Sequence, residues 1–418
     1  MAKREIQNLD LKFKYTNEYL RNGGVKKIFD RELLNDLINV QYGTDGKPIP
    51  ESITTRVNAF MGAILGSHLM PAIYFPEYIS EYESLLQKSL SFEQINIDSP
   101  AQFDDLYNDM KEKKNILFRG QREAKWRLYS SLQRYWILKK LYENEVSFKE
   151  LLEKMVENGK IDFNEQIFQL LNVHHIDTQN DVAVLGFLQH HGCPTPLLDW
   201  TYKFQNALYF GLDGLTQNTK VKEIEDYFSV YFIEEQYFEG SNMRAMMDKG
   251  LAEIGEQELY KWISFLAKDK EQEQEMREHF AGRKMFDNEK ITGSGLITHM
   301  TKIENLLGFP ISYFSDKDIE SQILFSLNNS KNIQNQEGVF TWNADPSKPL
   351  ELVGEELYKE TYPDKDGKDY FFCSCYNIRK SLEPYIRQKL DADGITKEYI
   401  YPTIDINAWE VFEKSLTK

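Results

Sequence analysis

The chain has only three cysteines in 418 residues, too few for a disulfide framework. Cys193 stands alone. Cys373 and Cys375 form C-x-C, tighter than the C-x2-C of a zinc knuckle, and no second Cys/His pair flanks them, which argues against structural zinc. Residues 1–10, MAKREIQNLD, contain no apolar h-region of a secretory signal. The longest apolar stretch, residues 61–73, is broken by Gly66, Ser67, His68 and Pro71 and falls short of the roughly 20 residues that span a bilayer. No period of 20–50 residues repeats, which excludes a solenoid. The Rossmann fingerprint, the Walker A loop, G-x-S-x-G and H-E-x-x-H are absent, which removes most dehydrogenases, nucleotide hydrolases, α/β-hydrolases and zincins. The expectation is a soluble, cytoplasmic protein of a reducing compartment, with no membrane association.

Basic residues are in deficit: 50 against 66 acidic ones, a net charge of −16. That balance argues against non-specific DNA coating, which needs many positive contacts. A small basic site for a phosphate-bearing ligand is still open, because a few residues set such a site. The 13% aromatic content is too high for a disordered chain. The length allows two or three domains, or one large domain with insertions.

Helical spacing marks residues 32–38, ended by a turn at Gly43-Thr44-Asp45-Gly46, and an amphipathic stretch at 76–90 with Tyr78, Tyr82, Leu85 and Leu86 on one face. Ser99 caps a helix that has Pro100 at its first position. A short strand, Ile116-Leu117-Phe118, runs into Arg119-Gly120-Gln121. Helical spacing returns at 146–171 and 182–190, and a buried strand is expected at 197–201, with a helix from Asn206. Strands are expected at 228–233 and 338–342, and a helix around 378–390 before a closing segment at 399–402. Residues 244–290 read as charge-rich helix, an insertion with a solvated face.

Five constellations bear on chemistry. Arg119-Gly120 at a strand end offers a fork of donors for phosphate or carboxylate beside a residue that permits close approach; the alternative is an Arg closing the strand through backbone carbonyls. Trp126 and Leu132 read as core, and Arg134 as an anion contact or a surface residue. His190 and His191 precede Gly192, a helix C-terminal cap; with the His174-His175 pair and Asp199 they make only a weak metal or nuclease candidate. Asp199-Trp200-Thr201 puts a carboxylate and a hydroxyl at a strand edge, where Asp199 is either a helix cap or a site residue. Residues 334–338, ending Gln336-Glu337-Gly338, form a polar turn before a strand.

Together these pieces resemble the FRG-domain family, named for its Phe/Tyr-Arg-Gly motif. The resemblance rests on Leu117-Phe118-Arg119-Gly120-Gln121 with Trp126, Leu128, Ser131, Leu132 and Arg134. It continues through Gln189-His190-x-Gly192-x-Pro194-Thr195-x-Leu197-Leu198-Asp199-Trp200-Thr201, then Ala207-Leu208-x-Phe210, and Ile333-x-x-Gln336-x-Gly338-x-Phe340-Thr341. It covers residues 98–405, leaving a helical region at 1–97, a helical insertion at about 240–300 and a tail at 406–418. One departure is Pro196, where the family commonly has Arg.

The block order is also similar to that of ADP-ribosyltransferases of the Arg-Ser-Glu class. That likeness implies an α+β fold around a mixed β-sheet core of ADP-ribosyltransferase-like type, and NAD as substrate. It implies catalytic roles for Arg119, Asp199, Thr201, Gln336 and Glu337, and nucleotide contacts from Phe118, Arg119, Gly120, Gln121, Arg134, Gln189, His190, His191 and Thr195. It further implies an RNA, DNA or protein acceptor, a bacterial toxin or phage-defence setting, and an antitoxin or regulatory partner. Alternatives are a non-enzymatic nucleotide- or phospholigand-binding module and, behind it, a metal-dependent nuclease.

Overall fold

The computed structural model describes residues 79–417 except 144–145, 167–179, 217–221, 235–252, 254–255, 257–258, 262, 281–297, 317–324, 326, 362–370, 372 and 403–405. The helix and turn expected at 32–46 and the His174-His175 pair lie outside the described residues. The described chain is α+β. Seven strands form one mixed sheet: β1 (Glu93–Ile97), β2 (Ile116–Gln121), β3 (Leu197–Thr201), β4 (Tyr227–Glu234), β5 (Ile311–Phe314), β6 (Gly338–Asn343) and β7 (Ser374–Arg379). Their order is β1-β7-β4-β2-β3-β6-β5. The β1–β7 pair is parallel and the others are antiparallel.

Helix α1 (Pro100–Lys111) starts as the sequence expects, with a Ser99–Gln102 capping box and Pro100 in the first turn. Phe103, Leu106, Tyr107 and Met110 fall on its buried face at helical spacing. Helix α2 (Ser131–Leu138) and helix α3 (Phe148–Asp162) are capped the same way by Ser130 and Ser147. Helix α4 (Asp181–His190) is buried on every side from Asp181 to Leu188, as its almost unbroken apolar sequence requires. Helix α5 (Phe204–Leu212) follows β3 directly and lies on β2.

Three expectations are corrected. Residues 79–84 are not helical. Glu81 bridges to Trp126 and Tyr82 is buried, so the apolar spacing there serves an irregular segment, and the helix covers only Leu85–Lys88. Ile378 belongs to β7, and the next α-helix, α8 (Glu383–Ala392), begins after Leu382. The polar turn at 334–338 is the end of helix α6 (Lys331–Gln336), closed by Glu337 in the left-handed region at φ 47°. Helix α7 (Leu350–Thr361) precedes β7, and helix α9 (Lys397–Ile400) follows α8. Of the charged insertion, helix Lys270–Phe280 buries no residue.

The segment before residue 98 completes the sheet. β1 is its edge, and the fully buried Lys88 donates from Nζ to Ser229 Oγ at 2.7 Å and Asn377 Oδ1 at 2.9 Å. Arg127 and Glu351, each 1% exposed in the side chain, form an ion pair that also takes the Tyr82 hydroxyl. No helix among the described residues is long and apolar enough to cross a membrane.

Candidate nucleotide site at the opening of the sheet

β2 pairs with β4 along its whole length, and β3 does so with β6, but β2 and β3 share a single register position, Phe118 opposite Thr201. Beyond it the two strands part. Alternation places Phe118 and Gly120 on one face of β2 and Leu117, Arg119 and Gln121 on the other. On the first face α5 lies so close that a Cβ at Gly120 would stand 1.8 Å from the Ala207 carbonyl oxygen and 2.6 Å from the Gly211 nitrogen. The glycine therefore admits a helix rather than a ligand, which corrects the reading of Gly120 as an approach point. Phe118 is fully buried, packing edge-on against Phe204. Gln121 is buried and donates to the Trp126 carbonyl at 2.7 Å.

Arg119 lies in the opening. Its Nη1 donates to the backbone carbonyl of Asp199 at 2.7 Å, supplying a donor where strand pairing has stopped. Its Nε is buried without a partner. Burial pushes its pKa down, against the opposing influence of Asp199 and Tyr231.

The Asp199 carboxylate, 38% exposed, is not the cap of α5; that position is Lys203. Gln189 donates from Nε2 to Asp199 Oδ1 at 2.6 Å, and the Thr195 hydroxyl donates to Gln189 Oε1, fixing which way the amide points. Thr195 in turn donates from its backbone to Ser131 Oγ at 3.0 Å. His190 Nε2 lies 3.8 Å from the same Asp199 oxygen. Burial pushes the His190 pKa down, opposed by Asp199. His191 turns elsewhere: it is the C-cap of α4, with Gly192 at φ 90° behind it, and its ring meets Phe187 at 4.5 Å.

Arg134 on α2 is half-buried and donates to the Tyr129 carbonyl at 3.2 Å. Its pKa is lowered to about 10 by burial first and then by the charges of Arg119 and Arg122. Arg122 and Arg134 both lie over Trp126, at 5.7 and 5.4 Å from the ring centroid. Trp126 is thus a half-buried wall residue, not the core residue the sequence suggested. Sequence reasoning missed Arg122 and this use of Trp126.

Ion pairing sets these arginines apart. Arg127, Arg277, Arg379 and Arg387 each pair with a carboxylate: Glu351, Glu273, Asp98 and Glu383. Arg119, Arg122 and Arg134 form no ion pair among the described residues. Arg119 and Arg122 repel the half-buried Arg134, and an anion seated among the three would relieve that repulsion.

Thr201, Gln336 and Glu337 belong to a second network, beyond the Thr201 end of β3. The Thr201 hydroxyl donates to the Gln336 carbonyl at 2.6 Å, and the Gln336 amide is buried and donates to the Ile400 carbonyl at 3.0 Å. Glu337 pairs with Lys203 at 2.9 Å, and Lys203 also donates to the Tyr399 hydroxyl at 2.9 Å. These contacts tie α6 and α9 to the corner between β3 and α5. Among the described residues no group of three or more His, Cys, Asp or Glu could hold a metal ion.

The chain carries an FRG domain. The model of that domain matches residues 114–220, from the start of β2 past the end of α5. Comparison with curated proteins and with solved structures returned no match. The FRG domain therefore contains both strands that part and all of Arg119, Arg122, Trp126, Arg134, Gln189, His190, Thr195 and Asp199.

Proposed function

We propose that the FRG domain binds NAD in the opening between β2 and β3 and transfers its ADP-ribose to a macromolecular acceptor, RNA, DNA or protein. The observation that carries this reading is the group of three arginines without an ion-pair partner, Arg122 and Arg134 over Trp126 and Arg119 on the Asp199 backbone, beside the partly exposed carboxylate of Asp199. A diphosphate fits the guanidiniums, which give planar, bidentate donors to phosphate oxygens. An aromatic wall suits a base or a ribose face.

Nicotinamide leaves through an oxocarbenium-like ribose, as in glycoside cleavage, and a fixed carboxylate stabilises that cation. We assign this task to Asp199, because Gln189 orients it from behind while much of it faces outward. Gln336 and Glu337 are engaged with Ile400 and Lys203 and serve the scaffold in this account. The bond from the anomeric carbon to the nicotinamide nitrogen breaks, the bond to the acceptor forms, and the acceptor's proton passes to solvent or to Asp199. A toxin or defence role with a regulatory partner belongs to the same reading.

The test is incubation of the full chain with adenylate-labelled NAD and a cell lysate, followed by separate nuclease and protease digestion. Label on one class of macromolecule supports transfer. Binding without NAD consumption identifies a nucleotide-binding module and overturns the transferase.

A further inference from the structure

The reaction as described leaves His190 without a task. Its side chain is 5% exposed, its ring lies 5.6 Å from that of Phe340, and its Nε2 is buried with no hydrogen-bond partner. A buried nitrogen of this kind normally costs stability, and it calls for an explanation. The nearest acceptor is Asp199 Oδ1, 3.8 Å away. A Cβ on Gly338 would stand 3.6 Å from the same nitrogen, an ordinary van der Waals contact. The two donors aimed at Asp199 therefore differ. Gln189 already bonds the carboxylate and is locked by Thr195, whereas His190 stands one short movement, about 1 Å, from bonding distance.

We propose that His190 is a positioning residue that keeps Asp199 ionised once a bound nucleotide has driven water from the opening, by donating from Nε2 to Oδ1. This rests on the reading of Asp199 as the carboxylate that faces the ribose. In the free protein water solvates Asp199 on its open side. A ligand covering that side removes the water and penalises the charged form. Gln189 already donates to this oxygen, and His190 Nε2 is a second group close to it that has no partner of its own. A neutral imidazole suits the task because it adds a hydrogen bond without adding a second buried charge. The other groups near Asp199 do not replace it. Arg119 on β2 bonds its backbone carbonyl and the Tyr401 hydroxyl after α9 is directed to Asp213 at 3.3 Å, while His191 turns away to pack against Phe187.

The experiment measures nicotinamide release by the full chain across pH 5–9 for wild type, His190→Phe and His190→Gln, with His190→Leu in reserve should the Phe variant not fold. His190→Phe is expected to move the acidic limb of kcat up by about one pH unit, roughly tenfold lower turnover on that limb, with KM nearly unchanged. His190→Gln, which restores a donor, returns the limb towards wild type. An unmoved limb in His190→Phe, or an equal shift in both variants, overturns the proposal.

Proton uptake on ADP-ribose binding, from calorimetry in two buffers of different ionisation enthalpy, decides the matter without turnover. At a pH midway between the acidic limbs of the two proteins, His190→Phe is expected to take up about half a proton more than wild type, the difference that a shift of about one pH unit produces. Equal uptake by the two proteins, or no ADP-ribose binding by wild type, overturns the proposal. A wild type that binds ADP-ribose but consumes no NAD sinks the transferase reading alone.

Discussion

Arg119 on β2 donates to the backbone carbonyl of Asp199 on β3 at the point where the pairing of the two strands has ended. One side chain thus caps the backbone where the sheet opens, while its Nε stays buried without a partner. Arg119→Ala takes this donor from the Asp199 carbonyl and removes the anion contact proposed for Arg119. The expected result is a loss of about 1–3 kcal/mol of stability, read in denaturant unfolding, together with loss of NAD binding. A variant that binds NAD as wild type does would place the ligand elsewhere.

Gly120 distinguishes packing from ligand approach. In Gly120→Ala the new Cβ meets backbone atoms of α5, which cannot rotate away, so the domain should lose more than about 3 kcal/mol or fail to accumulate as soluble protein. Gly394→Ala is the control. It sits at φ 75° with nothing within 4 Å and should cost only about 1–2 kcal/mol, the strain of a left-handed alanine. Melting temperatures of the two variants make the comparison, and equal stability would contradict the close fit of α5 on β2.

The two carboxylates should separate cleanly. Asp199→Asn keeps the size of the side chain and removes its charge, and turnover should fall at least a hundredfold, on the order of one lost electrostatic contact to the transition state. Glu337→Gln breaks a partly exposed ion pair with Lys203, which costs less than about 1 kcal/mol and should leave turnover within a few-fold. Steady-state kinetics on both variants give the answer. The reverse pattern would move the catalytic carboxylate to Glu337.

His191 gives the fold an acid limit. Its pKa is lowered to about 4 by burial, with the neighbouring His190 adding to the effect. The unfolded chain takes up this proton near the ordinary histidine pKa of about 6.5, and the folded chain resists until about 4. Stability is therefore lost as pH falls through that window, by about 2 kcal/mol after allowance for solvent screening. Unfolding midpoints measured between pH 7.5 and 4 should decline, and His191→Phe should flatten the decline. A curve of unchanged slope in that variant would remove His191 from the account.

The parts of the fold legible in the sequence are those with strong local signals. Ser99-Pro100 announces α1, the apolar run at 182–188 announces α4, and Leu197-Leu198 announces β3. β7 is not legible, because Ile378 sits where strand and helix patterns meet and the alternation of Cys373, Cys375 and Asn377 against Tyr376 and Ile378 is short. β1 and β5 are edge strands of five and four residues, with one flank unpaired and little pattern to show. In the site, Arg119 and Asp199 stand out because each sets a charge in an apolar strand; the strand ends expected there are corrected, since β2 runs on to Gln121 and β3 to Thr201 and both residues lie inside their strands. Arg122 and Trp126 do not, because the absence of a carboxylate around an arginine is a property of the folded arrangement. The same holds for Gln336, whose amide finds the Ile400 carbonyl only after α9 has packed against α6.

The most direct measurement of the central claim is nicotinamide release from NAD by the purified full chain, followed by proton NMR, for wild type and for the double variant Arg119→Ala, Arg134→Ala. Release by wild type is expected to rise when the acceptor is supplied and to vanish in the double variant, whose fold is verified by circular dichroism. Undiminished release by a folded double variant, or none from wild type with lysate present, would contradict it.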